Sequence, residues 1–196
     1  MKGDLTPENL PQPQEREKPE SVLERSDKVE AALADEEMKR AMEFLRQEQN
    51  LLVGAMAGFL AAVLGAVVWA GVTVTAGYSV GWLAIAVGLV TGLAVRLGGK
   101  GIDQVFGVVG AAMSALGCAL GNIFTIAWYF SIETGTPVVD VLGDMDIPIV
   151  IELIIESFEL TDILFYAMAV YFGYRYSFRE LAQEDFDRAL GRVMLS

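Results

Sequence analysis

The sequence predicts an all-α membrane protein with four transmembrane helices, both termini on the cytoplasmic side. Three observations lead there. Long apolar runs are joined by connectors of only a few residues. Charge is segregated, since 54% of the 196 residues are hydrophobic although the net charge is −12. Lys and Arg fall in alternate connectors along the chain. A hydrocarbon core of about 30 Å needs about 20 helical residues, and the runs at 51–74, 80–97 and 105–132 reach or approach that length.

Residues 1–20 carry Pro7, Pro11, Pro13 and Pro19 among polar residues, the composition of an acidic, proline-rich disordered tail. They lack the basic start and short apolar core of a signal peptide. The first apolar run, beginning at Leu51, is therefore expected to be an internal anchor that stays in the mature protein.

Residues 21–50 predict a cytoplasmic helix, with Ser21 as N-cap and Glu24 completing a capping box. Val29, Leu33, Met38, Met42 and Leu45 form an irregular stripe that falls short of a coiled coil. Two roles are open: a polar helix running on into the first span, or a docking helix for a cytoplasmic partner or another protomer.

All three long runs carry small residues at helical spacing. The first has Gly54, Gly58, Ala61 and Gly65; the second Gly77, Gly81, Gly88 and Gly92; the third Gly107, Gly110, Ser114, Gly117 and Gly121. Such stripes let backbones approach where lipid supplies no hydrophobic drive between helices. They predict a tight bundle, within one chain or between chains. The connectors Thr75–Ser79 and Gly98–Gln104 are too short for a catalytic loop and make neighbouring spans antiparallel.

The outer segment 133–159 is acidic and has no Lys or Arg. Pro148 can start an amphipathic helix with Glu152, Glu156 and Glu159 on one face and Ile149, Ile151, Leu153, Ile154, Ile155 and Phe158 opposite. That pattern suits a helix on the membrane surface, against the bundle, or re-entrant. The fourth span, 160–178, is short and rich in Tyr, with Thr161 at its start. The cytoplasmic tail 179–196 has Phe186, Leu190 and Val193 as an apolar side.

Of the 14 Lys and Arg, eight precede Leu51, two (Arg96 and Lys100) flank the turn after the second span, and four follow Tyr174. The positive-inside rule then puts both termini and the Gly98–Gln104 turn in the cytoplasm. Trp69, Tyr78, Trp82, Trp128 and Tyr129 would form the outer aromatic belt.

Few chemistries survive this composition. Without His and with one Cys, metal sites of the His/Cys type are excluded; neither a metal nor a cofactor is expected. The turn R-L-G-G-K-G-I-D lacks the early glycine and the Ser or Thr of a P-loop, leaving Arg96 and Lys100 as topology signals or lipid-headgroup contacts. Asp144 and Asp146 do not match a calcium loop. Glu152, Glu156 and Glu159 form a solvated face or at most a weak cation site. No ionisable side chain lies inside the first three spans, where Thr91, Ser114, Asn122 and Thr125 are the polar residues. Ser114 has no base to activate it, and Cys118 reads as packing. No catalytic residue is expected, and no nucleic acid as a partner.

The runs W-A-G-V-T-V-T-A-G-Y-S-V-G-W-L-A-I-A-V-G, A-V-R-L-G-G-K-G-I-D-Q-V-F-G-V-V-G-A, L-G-C-A-L-G-N-I and F-Y-A-M-A-V-Y-F-G-Y-R-Y-S-F resemble a set of small bacterial multispanning membrane proteins of unassigned function. The resemblance covers roughly Leu51 to Phe178. It implies a bacterial inner-membrane setting and no activity. Some members of that set carry N-terminal zinc ribbons, and this chain departs from them because it has no Cys or His before Leu51. The expected role is a non-enzymatic membrane protein, a homo-oligomer or accessory subunit of a larger complex, whose N-terminal helix docks a cytoplasmic partner. The alternative is a small cation channel or transporter component with an acidic outer vestibule.

Overall fold

The computed structural model describes residues 19–78, 81–157 and 160–191. These form eight helices and no strands: α1 Pro19–Gln47, α2 Leu51–Ala76, α3 Leu83–Gly99, α4 Gln104–Thr134, α5 Val138–Asp144, α6 Ile147–Ser157, α7 Leu160–Tyr176 and α8 Gln183–Ala189.

Helix α1 is built by its own charges. Glu24–Lys28, Asp35–Lys39 and Glu36–Arg40 pair one turn apart on exposed faces, each worth about 0.3–0.5 kcal/mol. Pro19 is already helical, as proline can be in a first turn, so Ser21 lies inside the helix and the expected cap there is corrected. The helix does not run on into the apolar segment either. It stops at Gln47, and Asn50 is extended (φ −133°, ψ 97°), its side chain accepting from the Val53 N–H at 3.0 Å. That is an N-cap, which frees α2 to leave in its own direction.

Helices α2 and α4, of 26 and 31 residues, are long and apolar enough to cross a membrane; α3 and α7 have 17 residues each, or about 25 Å at 1.5 Å per residue. Gly77 and Gly135 end α2 and α4 in the left-handed region (φ 74° and 71°), each N–H reaching back to a carbonyl four residues earlier. Helix α3 starts at Leu83, so Gly77 and Gly81 belong to the cap and turn before it rather than to an apolar span.

Four helices make the bundle. Helices α3 and α4 touch each other and both flanking helices, α2 and α7; α2 and α7 do not meet. The core is made of small residues. Ala62, Ala66, Ala70, Ala84, Thr91, Ser114, Cys118 and Ala169 are buried, with Trp69, Leu83, Val87 and Val95 filling between them. The large apolar side chains of α2 face outward instead: Leu52, Met56, Leu60, Leu64 and Val68 are each about 60–70% exposed. This inverts the order of a water-soluble bundle and leaves a continuous apolar surface for lipid or an apolar partner.

The acidic segment folds as two short helices. Helix α5 is an element that the sequence pattern does not announce, because seven residues carry too little periodicity. Both α5 and α6 lie against α4, while Ile149, Ile151 and Ile155 stay half-exposed or more.

Candidate functional site

The glycines come first, because they position everything else. A Cβ built on Gly54 would approach the Gly99 Cα to 3.0 Å, and one on Gly58 the Val95 side chain to 2.5 Å. Gly65 and Gly117 face Val87, and Gly81 faces Phe165. Gly88 lies on the backbone of Ala169, Gly92 on that of Gly173, Gly110 on Ser177 and Gly173, and Gly121 on Trp69. Every one of these contacts is made within the chain. Hydroxyls in the core bond their own helices: Ser114 Oγ donates to the Gly110 carbonyl at 2.7 Å and Ser177 Oγ to Gly173 at 2.6 Å.

At one end of the bundle, three separate stretches of sequence are bound into a clasp. Gln49 is its pivot. Its Oε1 accepts from the backbone N–H groups of Ile102 and Asp103 at 2.9 and 3.2 Å, and its Nε2 donates to Asp103 Oδ2 at 2.9 Å. Arg46 pairs with the same carboxylate at 3.2 Å. The Asn50 N–H bonds the Gly99 carbonyl, and the Arg179 N–H bonds Gly101 at 2.7 Å. The base of α1, the α3–α4 turn and the chain after α7 are thus joined backbone to backbone.

A charged knot closes the clasp. Arg179, only 17% exposed, holds Glu48 at 3.1 Å with one nitrogen and Asp185 with the other. Arg188 also reaches Asp185 at 2.8 Å and Glu48 at 3.6 Å. Burial works against ionised Asp185, but the Ala182 N–H and the guanidinium groups of Arg179 and Arg188 outweigh it and hold its carboxyl below the usual range. Ala41 and Leu45 are fully buried where α1 packs on α8. Beyond this point α1 leaves the bundle. Val22, Leu23, Val29, Leu33 and Met38 are all more than half exposed, and α8 is the only helix that α1 touches among the described residues.

The remaining candidates fall elsewhere. Arg96 pairs with Glu180 at 3.3 Å. Lys100 ends α3 with φ 49°, its N–H bonding the Arg96 carbonyl. Glu152 and Glu156 are exposed on α6, and Glu159 lies outside the described residues, as does Val193. Among the described residues no group of three or more acidic or cysteine side chains is placed to hold a metal ion. Sequence reasoning passed over Gln49, Glu48, Arg179 and Asp185. Each sits in a stretch rich in similar residues, and only their convergence from positions more than 50 and 130 residues apart marks them.

Compared with protein-family models, curated proteins and solved structures, the chain matches none.

Proposed function

We propose that this is a non-enzymatic integral membrane protein whose four-helix bundle anchors a rigidly held cytoplasmic arm, α1, through which it joins further copies or another subunit of a membrane complex. The observation that carries the proposal is the contrast within α1. Its last two turns are locked by Leu45, Arg46 and Glu48 to the clasp, while five large apolar side chains further out have no helix against them. A purely solvated helix needs neither the apolar stripe nor a rigid base.

Four spans with both termini in the cytoplasm is the topology we propose with it. The clasp gathers Arg46, Arg96, Arg179 and Arg188 at the end where both chain termini emerge, in keeping with the positive-inside rule. Trp69, Tyr78 and Tyr129 lie together at the opposite end. The bacterial inner membrane is the setting implied by the resemblance. The channel alternative has less support, because the glycines that would line a path between protomers are engaged inside one chain.

The test is the mass of the particle purified in mild detergent from its own membrane, with and without residues 19–38. Loss of the larger assembly on removing the arm, with the bundle still inserted, is the expected result. An assembly of unchanged mass would sink the proposal.

A further inference from the structure

At the end of the bundle opposite the clasp, a cleft of about 370 Å³ opens between the end of α2, the outer half of α4 and the first turn of α7. Its lining is unlike the rest of the molecule. Trp69, Tyr78 and Tyr129 give it three aromatic walls, and Asp162 places one carboxylate at its edge. Asn122 adds an amide, which donates to the Tyr166 hydroxyl at 2.8 Å beside the cleft. The Thr73 hydroxyl, in a residue 4% exposed in the same wall, has no hydrogen-bond partner within the protein.

The electrostatics select the ligand's sign. No basic residue lines the cleft, and no Lys or Arg occurs anywhere between Lys100 and Arg175. The neighbouring α4–α7 segment contributes Glu133, Asp140, Asp144, Asp146, Glu152 and Glu156. A concave site under a field of one sign concentrates the opposite ion. An inorganic divalent ion wants several oxygen ligands, and a single carboxylate among aromatic rings does not supply them. Aromatic faces with one carboxylate are instead the chemistry that holds an organic ammonium: the rings attract its diffuse charge and accept its methyl or methylene groups.

From these observations we propose that the cleft is a binding site for an ammonium group, with Trp69, Tyr78 and Tyr129 as the cage and Asp162 as the counter-charge. The group has two sources, a free solute or the headgroup of an aminophospholipid, since the cleft sits at the level of the aromatic belt. The inference is independent of the role proposed for α1.

The test is calorimetric titration of choline into the full-length protein in nanodiscs of phosphatidylglycerol, beside 3,3-dimethylbutan-1-ol, its uncharged isostere. Saturable choline binding is expected, with the isostere on the order of tenfold weaker or worse. Asp162→Asn and Tyr78→Leu should each weaken choline; Tyr78, being 67% exposed, is a variant that leaves folding alone. Repeating the titration in nanodiscs containing phosphatidylethanolamine separates the sources: suppression of choline binding identifies the lipid headgroup, and unchanged binding identifies a free solute. No saturable binding in phosphatidylglycerol overturns the proposal, as does equal affinity for choline and its isostere.

Discussion

Gly88 and Ala169 meet backbone to backbone. A Cβ added to Gly88 would lie 2.7 Å from the Ala169 Cα and nearer still to its carbonyl oxygen. The neighbour is main chain, so no rotamer change relieves the overlap, and α3 must move away from α7. Alanine in a helix interior is worth about 1 kcal/mol over glycine, but overpacking of this kind costs about 1–3 kcal/mol or more. The Gly88→Ala variant should therefore melt earlier in detergent than the parent, and Gly88→Val should fail to give a monodisperse bundle. An unchanged melting temperature for Gly88→Ala would show that α3 and α7 are not in this contact.

Gly71 provides the opposite case. A Cβ there would meet only the edge of the Trp128 ring, at 3.8 Å. Helix propensity is then unopposed, and Gly71→Ala should stabilise by about 0.5–1 kcal/mol. Thermal unfolding of the two alanine variants side by side gives opposite signs if the helix register is right. A one-residue rotation of α2 would remove the difference.

These two glycines show what the sequence made legible and what it did not. Both read as small residues in an apolar run, and the runs place α2, α3, α4 and α7 to within about three residues. Spacing alone says that a close approach exists but not which helix supplies it, because small side chains carry no complementary shape. The same limit hid the clasp. Gln49 works through an amide that any Gln has, and only the placement of the α3–α4 turn gives it three partners. Helix α5 and the break at Glu48–Asn50 were missed for local reasons, one too short for periodicity and the other set among helix-forming residues whose pattern reads straight through. Ser21 was taken as a cap by its type, whereas the helix begins earlier at Pro19.

Glu48 and Arg179 are the members of the clasp most shielded from solvent as a pair, at 24% and 17% exposure. Removing either side chain leaves the other partly buried charge without its partner, which costs more than the pair itself contributes. A double-mutant cycle with Glu48→Gln and Arg179→Met should give a coupling of about 0.5–3 kcal/mol. Hydrogen exchange of α8 is the readout, since α8 packs on α1 and not on the bundle. Additive effects would mean that the ion pair does not hold the tail.

The knot also fixes how the tail responds to acid. Asp185 is held ionised below the usual carboxylate range, so it is the folded form that binds its proton less readily. Its contribution is complete above the unfolded pKa of about 3.9 and is lost as pH falls through the lower folded value. Protease protection of α8 should thus be flat from pH 8 to about 5 and should decline below about 4. Asp185→Asn should weaken protection at neutral pH and remove most of the acid dependence. A decline already present at pH 6 would point to a different group.

The proposed topology can be read with the cysteine already in the chain as an internal control. Cys118 is fully buried among small residues of the bundle, so a membrane-impermeant maleimide should leave it unlabelled in intact cells and in inverted vesicles alike. New cysteines at exposed connector positions then report their own side. Lys100→Cys, in the α3–α4 turn, should label only in inverted vesicles, because it lies at the clasp end. Asp140→Cys, on α5, should label only from outside the cell. The two sites are separated by α4, whose 31 residues extend about 46 Å, longer than the hydrocarbon core of about 30 Å. Labelling of both positions from the same side would mean that α4 lies along the membrane rather than across it. The aromatic end of the bundle would then have no separate compartment to face.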